Sequence, residues 1–228
     1  MSLAILEAGA PPPELLADFG HYPAMFEQLL GVRATSYEVR AGELPPDVGD
    51  HSAYLITGSS AGVYDDLPWI QPLIDFLRAA GGRAKLVGIC FGHQIMAQAF
   101  GGHVEKSARG WGVGLHAYPI VRHEGWMDEA PLVAAPASHQ DQVVRPPPDA
   151  ALIASSAFTP YAGFSWRDRQ AISFQFHPEM SPAFAAALYE SRRDRIPEVD
   201  AAIASLDAPN DSARIGAWIN RFLQSPSP

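Results

Sequence analysis

Cysteine is nearly absent from this sequence: Cys90 is the only one in 228 residues. A single thiol closes no internal disulfide and builds no cysteine-rich zinc site, and it suits a reducing compartment. Long apolar runs are missing too. None approaches the roughly 20 residues that cross a bilayer. The opening stretch MSLAILEAGAPPPE has too short an apolar run, and no basic flank, to read as a signal peptide. A cytoplasmic protein with no membrane association is expected. Basic charge is scarce: 16 Lys and Arg stand against 25 Asp and Glu, a formal net charge of −9. Nucleic acid is a poor partner for such a chain, because phosphates need clustered cations. Internal repeats and low-complexity linkers are also lacking. The proline clusters APPPE and RPPPDA read as ordered turns and strand entries. With no boundary signal, residues 1–228 read as one α/β domain of good size.

What is present is an ordinary globular composition, 47% hydrophobic and 18% charged. Short runs rich in β-branched residues, LAILEA, TSYEVR, AYLITG and KLVGIC, alternate with helical patterns, ELLADFGHYPAMFEQLL, WIQPLIDFLRAA and HQIMAQAF. In the second of these helices Trp69, Ile70, Leu73, Ile74 and Leu77 share one face. Pro72 is tolerated only in a first turn, so that helix begins at or just before Ile70 and ends on Gly81 and Gly82. Alternation of this kind builds a parallel sheet with helices on both faces. The second half reads as strands joined by short turns (GLHAYPIVRH, PLVAAPASHQDQVV, AALIASSA and AGFSWRDRQAISFQF), which predicts an antiparallel extension of the sheet. Two helices close the chain. SPAFAAALYESRRDRI starts at an N-cap Ser181 followed by Pro182, and DSARIGAWINRFLQ is the last.

Cys90 lies where the buried strand KLVGIC meets the helix HQIMAQAF, in the order Gly88-Ile89-Cys90-Phe91-Gly92. This is the strand–turn–helix elbow that exposes a nucleophile, with small residues two before and two after it. A sharp turn crowds those two positions, and glycine lets strand and helix approach. A thiol at a helix N-terminus is biased toward thiolate, and the Phe91 N–H is free to face an oxyanion. A lone cysteine at a strand end is also a common form of inert buried thiol, so a proton-transfer partner is needed. Far downstream FQFHPE carries His177 and Glu179 at a strand exit. Residues two apart in extended chain share a side, so Glu179 can orient the imidazole and leave its other nitrogen for Cys90.

Taken together, GICFGHQ, then SHQDQV from Ser138 to Val143, then FQFHPE, with YLITGSSAGVYDD ahead of the cysteine, resemble the class I glutamine amidotransferases in order and spacing. The likeness runs from about Ala53 to Glu179 and is similar to the amidotransferase part of GMP synthase. It implies a flavodoxin-like three-layer α/β fold with a largely parallel sheet. It implies hydrolysis of the glutamine side-chain amide to glutamate and ammonia, with no cofactor and no metal. By position, Cys90 resembles the nucleophile, His177 the general base and acid, and Glu179 its orienter. Ser59 and Phe91 resemble the backbone oxyanion donors. Gln94 resembles the residue that contacts bound glutamine, and Ser138, Gln140 and Asp141 the stretch that holds its α-amino and α-carboxylate groups.

One departure stands out. The family's oxyanion loop usually reads Ser-Gly-Gly-Pro, and here it is Thr57-Gly58-Ser59-Ser60. If the third position needs positive φ, serine costs about 1 kcal/mol there. Loops of the form GSxxxxY resemble those of stand-alone members acting on γ-glutamyl peptides. No phosphate-binding loop of a synthase accompanies these motifs. The sequence therefore leaves open a glutaminase serving a separate ammonia-accepting synthase subunit, a self-contained γ-glutamyl peptide hydrolase, and, in another class, a thiol sensor or non-catalytic regulatory subunit. GWGVG at Gly110 to Gly114 reads as a packed turn at the site rim, and ESRRDRI as a solvated helix face.

Overall fold

A computed structural model describes residues 2–226. Seven strands form the central sheet: β1 (Leu3–Glu7), β2 (Thr35–Glu38), β3 (Ala53–Ile56), β4 (Lys85–Ile89), β9 (Ala151–Ala154), β10 (Gly163–Trp166) and β11 (Ala171–Phe174). Their order is β2-β1-β3-β4-β11-β10-β9. The first five run parallel, while β10 and β9 are antiparallel additions at one edge. These two strands are the antiparallel extension expected from the second half of the sequence, while the remaining strands form two small ladders of their own. β6 (Gly112–Pro119) pairs with β7 (Leu132–His139), with a bridge from Ile120 to Ala154 linking its end to β9, and β5 (His103–Lys106) pairs with β8 (Asp141–Arg145). Runs of alternating apolar residues give strands, but nothing in them says which sheet a strand joins.

Helices cover both faces. α3 (Ile70–Ala80) and α4 (Phe91–Ala99) lie on one, with Leu73, Leu77, Phe91, Ile95 and Met96 packed against Tyr54, Leu86 and Phe164. On the other, α2 (Tyr22–Leu30) and α7 (Ser212–Gln224) set Phe26, Ile215, Trp218 and Ile219 against Ile5, Leu55, Val87 and Ile172. Lys85, at the start of β4, is buried, and its ammonium donates to the carbonyls of Phe222 and Leu223, so it caps α7. α3 begins at Ile70, as the position of Pro72 predicts. The first helical pattern is broken in two. α1 (Leu16–Phe19) stops at Gly20 with φ 72°, and α2 restarts with Pro23 in its first turn.

The C-terminal third also departs from expectation. α5 (Pro182–Glu190) is capped by Ser181, whose Oγ accepts from the Phe184 N–H at 3.1 Å. It ends at Glu190 instead of running on through SRRDRI. Residues 191–197 form turns that bury Ile196, and a further short helix, α6 (Val199–Ser205), follows. The helix ends because burying Ile196 against Leu188, Tyr189 and Val199 requires the chain to fold back. GWGVG is only in part a turn: Gly112 to Gly114 belong to β6, while Trp111 lies on the wall of the cleft described below. Among the described residues no helix is long and apolar enough to cross a membrane.

Candidate active site

Adjacent parallel strands end together, and that alone assembles the site. Ile56 pairs with Gly88 across β3 and β4, and Ile89 with Phe174 across β4 and β11. The segments that follow, Thr57–Ser60, Cys90–Phe91 and Gln175–Glu179, therefore emerge side by side at the C-terminal edge of the sheet, where open α/β sheets place ligands. The Cys90 N–H donates to the Phe174 carbonyl at 2.9 Å and locks two of these exits together.

Cys90 stands at φ 53° and ψ −101°, the N-cap of α4. A non-glycine residue rarely takes such a conformation, and here the surroundings impose it. A β-carbon on Gly92 would lie 2.3 Å from the Ile56 carbonyl oxygen, and one on Gly88 2.5 Å from that of Gly92. The two glycines thus let α4 press against β3 and β4, which forces the turn at Cys90. As the first residue of α4, Phe91 has an N–H with no intrahelical acceptor. The thiol is buried, 4.0 Å from the Ser138 carbonyl oxygen.

The His177 ring is buried, and its Nδ1–H donates to Glu179 Oε1 at 2.7 Å. Its backbone N–H donates to the Pro136 carbonyl, tying β11's exit to β7. Nε2 has no hydrogen-bond partner among the described residues. A β-carbon on Gly58 would stand 3.1 Å from Cε1 of His177 and 3.8 Å from Cβ of Cys90, so thiol and imidazole flank one spot. Burial opposes charge on His177, but the Cys90 sulfur and the Glu179 carboxylate outweigh it and hold the ring above its ordinary pKa of 6.5. Stability linked to this proton is fully present below about pH 6.5 and is lost as pH rises through the raised folded value.

The loop after β3 is braced from behind. Thr57 Oγ1 accepts from the Ala8 N–H and donates to the Gly58 carbonyl. A β-carbon on Gly9 would lie 2.6 Å from that same oxygen, so β1's exit sits tightly beneath the loop. Cys90, Gln170 and Glu198 are the non-glycine residues with positive φ among the described residues. Ser59 is not one of them, so it carries no conformational strain. Its Oγ accepts from the Ala61 N–H at 3.1 Å.

A cleft of about 290 Å³ opens above these groups. Ser59, Cys90, Gln94, Ser138, Gln140 and Asp141 all line it, so residues scattered over eighty positions of sequence share one cavity. Gln94 is buried and already engaged: Nε2 donates to the Asp141 carbonyl at 2.8 Å and to Gln175 Oε1 at 3.2 Å. Tyr64 and Asp65 of YLITGSSAGVYDD and Trp111 of GWGVG line the cleft too, and the structure adds Lys106, Arg192 and Arg195, to which no site role is assigned from sequence. Tyr64 OH donates to Asp141 Oδ2 at 2.8 Å across the cleft lining. No group of three or more His, Cys, Asp or Glu side chains among the described residues is arranged to hold a metal ion.

A cysteine at a strand–turn–helix elbow, set beside a histidine–carboxylate pair, is an arrangement able to support nucleophilic chemistry. The family model "Glutamine amidotransferase class-I" matches residues 45–189. The chain belongs to that family. It is 32% identical to γ-glutamyl peptidase 4 of Arabidopsis thaliana over 173 residues, covering 71% of this chain and 68% of that one. It is 34% identical to a glutamine-hydrolysing GMP synthase of Thermus thermophilus over 181 residues, covering 73% of this chain but only 33% of the synthase. The crystal structure of a glutamine amidotransferase from Thermotoga maritima superposes with a TM-score of 0.78 at 15% identity, covering 98% of this chain and 99% of that one, which shows the shared fold.

Proposed function

We propose that this chain, acting as one amidotransferase domain, hydrolyses a γ-glutamyl amide through a thiolate on Cys90. The observation that carries the reading is the juxtaposition of a strained, buried thiol with an imidazole whose Nδ1 is held by a carboxylate and whose Nε2 has no other hydrogen-bond partner among the described residues. The Cys90 sulfur attacks the γ-carbonyl carbon and a C–S bond forms. The resulting oxyanion accepts hydrogen bonds from the N–H groups of Ser59 and Phe91, each worth roughly 3–4 kcal/mol in the barrier. Protonated His177 gives its Nε2 proton to the departing nitrogen, the C–N bond breaks, and ammonia or an amine leaves. The neutral ring then takes a proton from water as the water oxygen attacks the thioester. The C–S bond breaks, the thiolate returns, and glutamate departs. Glu179 holds the ring in one tautomer throughout.

Glutamine is the substrate that membership of the family suggests, with ammonia passed to a separate synthase such as a GMP synthase subunit. The similarity to the Thermus GMP synthase supports that version, although it reaches only the amidotransferase third of that protein's length. A self-contained γ-glutamyl peptide hydrolase is supported by similarity spread over two thirds of the plant γ-glutamyl peptidase. Both use the same chemistry. The test common to them is mass spectrometry of protein acid-quenched during turnover of glutamine or γ-glutamylglycine. A γ-glutamyl adduct on the peptide bearing Cys90 is expected. Ammonia or amine release without any such adduct would overturn the covalent route. A thiol sensor would instead oxidise stoichiometrically at Cys90 with peroxide and release no ammonia.

Glu179→Gln separates orientation from attack. Removing one of the two anionic groups that raise His177 makes the imidazolium lose its proton at lower pH. The alkaline limb of the kcat/KM profile is expected to move down in pH, with turnover at neutral pH reduced by about a hundredfold. An alkaline limb identical to that of the parent protein would remove Glu179 from this role.

A further inference from the structure

Arg192 faces the cleft, and no carboxylate among the described residues meets it. The turn that follows α5 buries Ile196 and carries Arg192 inward, where Nη1 donates to Ser138 Oγ at 3.3 Å. Its neighbour Arg193 points away and is satisfied by Glu190 and Asp200, each at 2.7 Å. Arg192 and Arg195 line the cleft, and neither forms an ion pair among the described residues. A guanidinium offers five donors in a fork matched to a carboxylate, and Ser138 occupies one of them. Burial disfavours the charge on Arg192, so a half-buried cation in this position is well served by an anionic ligand.

Carboxylates line the cleft as well, and their neighbours differ from those of the arginines. Asp141 accepts from Tyr64 and, at its backbone, from Gln94, and the charged groups acting on it are Asp65 and Lys106, whereas Arg192 has Arg195 and the Cys90 sulfur. The Cys90 sulfur lies 4.0 Å from the Ser138 carbonyl oxygen, and the Ser138 hydroxyl in turn touches Arg192, which puts the thiol beside the arginines. A γ-glutamyl group with its α-ammonium at Asp141 and its γ-carbonyl at Cys90 projects its departing amine toward the arginines. Ammonia carries nothing for them to bind.

We propose that Arg192, with Arg195 beside it, binds a carboxylate on the leaving side of the scissile amide. The preferred substrates are then γ-glutamyl amides whose amine bears its own carboxylate: γ-glutamyl amino acids or peptides. The assignment deepens the hydrolysis reading above and takes its direction from it. Its test is therefore a binding measurement that needs no turnover.

Calorimetry on full-length protein carrying Cys90→Ala compares γ-glutamylglycine with γ-glutamylglycinamide, which differ only in the terminal charge. At least a tenfold tighter binding of the carboxylate form is expected, since a bidentate arginine contact is charge-assisted. Adding Arg192→Gln should bring the ratio to within twofold of one. A ratio near one in the Cys90→Ala protein would overturn the proposal. So would an equal loss of both ligands on adding Arg192→Gln, which would put Arg192 on the glutamyl head. The kcat/KM ratio for the same two compounds in protein retaining Cys90 gives a second measurement of the preference. Binding preference without turnover would sink the hydrolysis reading and keep the arginine site, while turnover with no preference would do the reverse.

Discussion

Alanine at position 90 is expected to leave a folded protein whose release of ammonia or amine falls by at least about 10⁴-fold, since removing a nucleophile leaves only oxyanion stabilisation and binding. Without sulfur no thioester forms, and water in the cleft has no comparable route. The backbone adds a second half to this expectation. Cys90 is held at φ 53° and ψ −101°, a region costly for any residue with a β-carbon, by about 1–3 kcal/mol. Alanine keeps that carbon and so keeps the strain, and its melting temperature should stay close to that of the parent. Glycine removes it. Cys90→Gly should therefore be inactive yet more stable, with a melting temperature higher by about 2–4 °C per kcal/mol released. Thermal melts beside an ammonia assay read both quantities. Turnover above about one per cent of the parent in Cys90→Ala, far more than loss of a nucleophile permits, would end the assignment of Cys90. A Cys90→Gly protein that melts lower than Cys90→Ala would end the claim that the elbow stores strain for the sake of the thiol.

Much of this site is legible in the sequence because its parts are short and local. Gly88 and Gly92 announce a close approach of helix and strand, and the coordinates give the distances a β-carbon would violate. His177 and Glu179 are two residues apart at a strand exit, and their 2.7 Å bond follows from that spacing. That Cys90 and His177 should meet depends on β4 and β11 being neighbours, a statement about sheet order. Periodicity alone does not supply it, whereas the family resemblance does. Whether Ser59 is tolerated in the oxyanion loop is a question of φ, and the loop takes a conformation that serine accepts.

The rest is hidden for a common reason. Lys106, Arg192 and Arg195 reach the cleft from a side ladder and a turn, and their sequence neighbourhoods look like solvated surface. ESRRDRI has the composition of an exposed helix end. What ends the helix is the burial of Ile196, a single apolar residue among charges, against α5 and α6. The same residue draws Arg192 into the cavity while leaving Arg193 outside. A lone isoleucine within a charged run is the available signal, and it becomes decisive only when a hydrophobic pocket exists to receive it. The pairing of β6 with β7 away from the main sheet is likewise unreadable, since both strands carry alternation that suits either partner.

Gly92→Ala is expected to damage the protein by a route independent of chemistry. Local propensity points to stabilisation, because glycine inside a helix costs about 0.5–1 kcal/mol relative to alanine. Packing points the other way. The added carbon would lie 2.3 Å from the Ile56 carbonyl oxygen and 3.0 Å from the Ile56 β-carbon, and both belong to a central strand held on each side by its neighbours. Neither group is a flexible side-chain end, so α4 itself must move. Overpacking of this kind costs typically about 1–3 kcal/mol and more where backbone resists. Because the obstacle here is backbone, the steric term is expected to exceed propensity and lower the melting temperature by about 5–10 °C. The displacement would be felt at Cys90, two residues away on the same turn. A shift of about 1 Å in a reacting group is enough for a hundredfold loss of rate, so the surviving folded fraction should turn over at least that much more slowly. Gly125→Ala supplies the control, since a β-carbon there meets nothing within 4 Å, and it should alter neither quantity. If Gly92→Ala melted with Gly125→Ala, α4 would have room to spare against β3. The strain at Cys90 would then need a cause other than the helix pressing on the sheet.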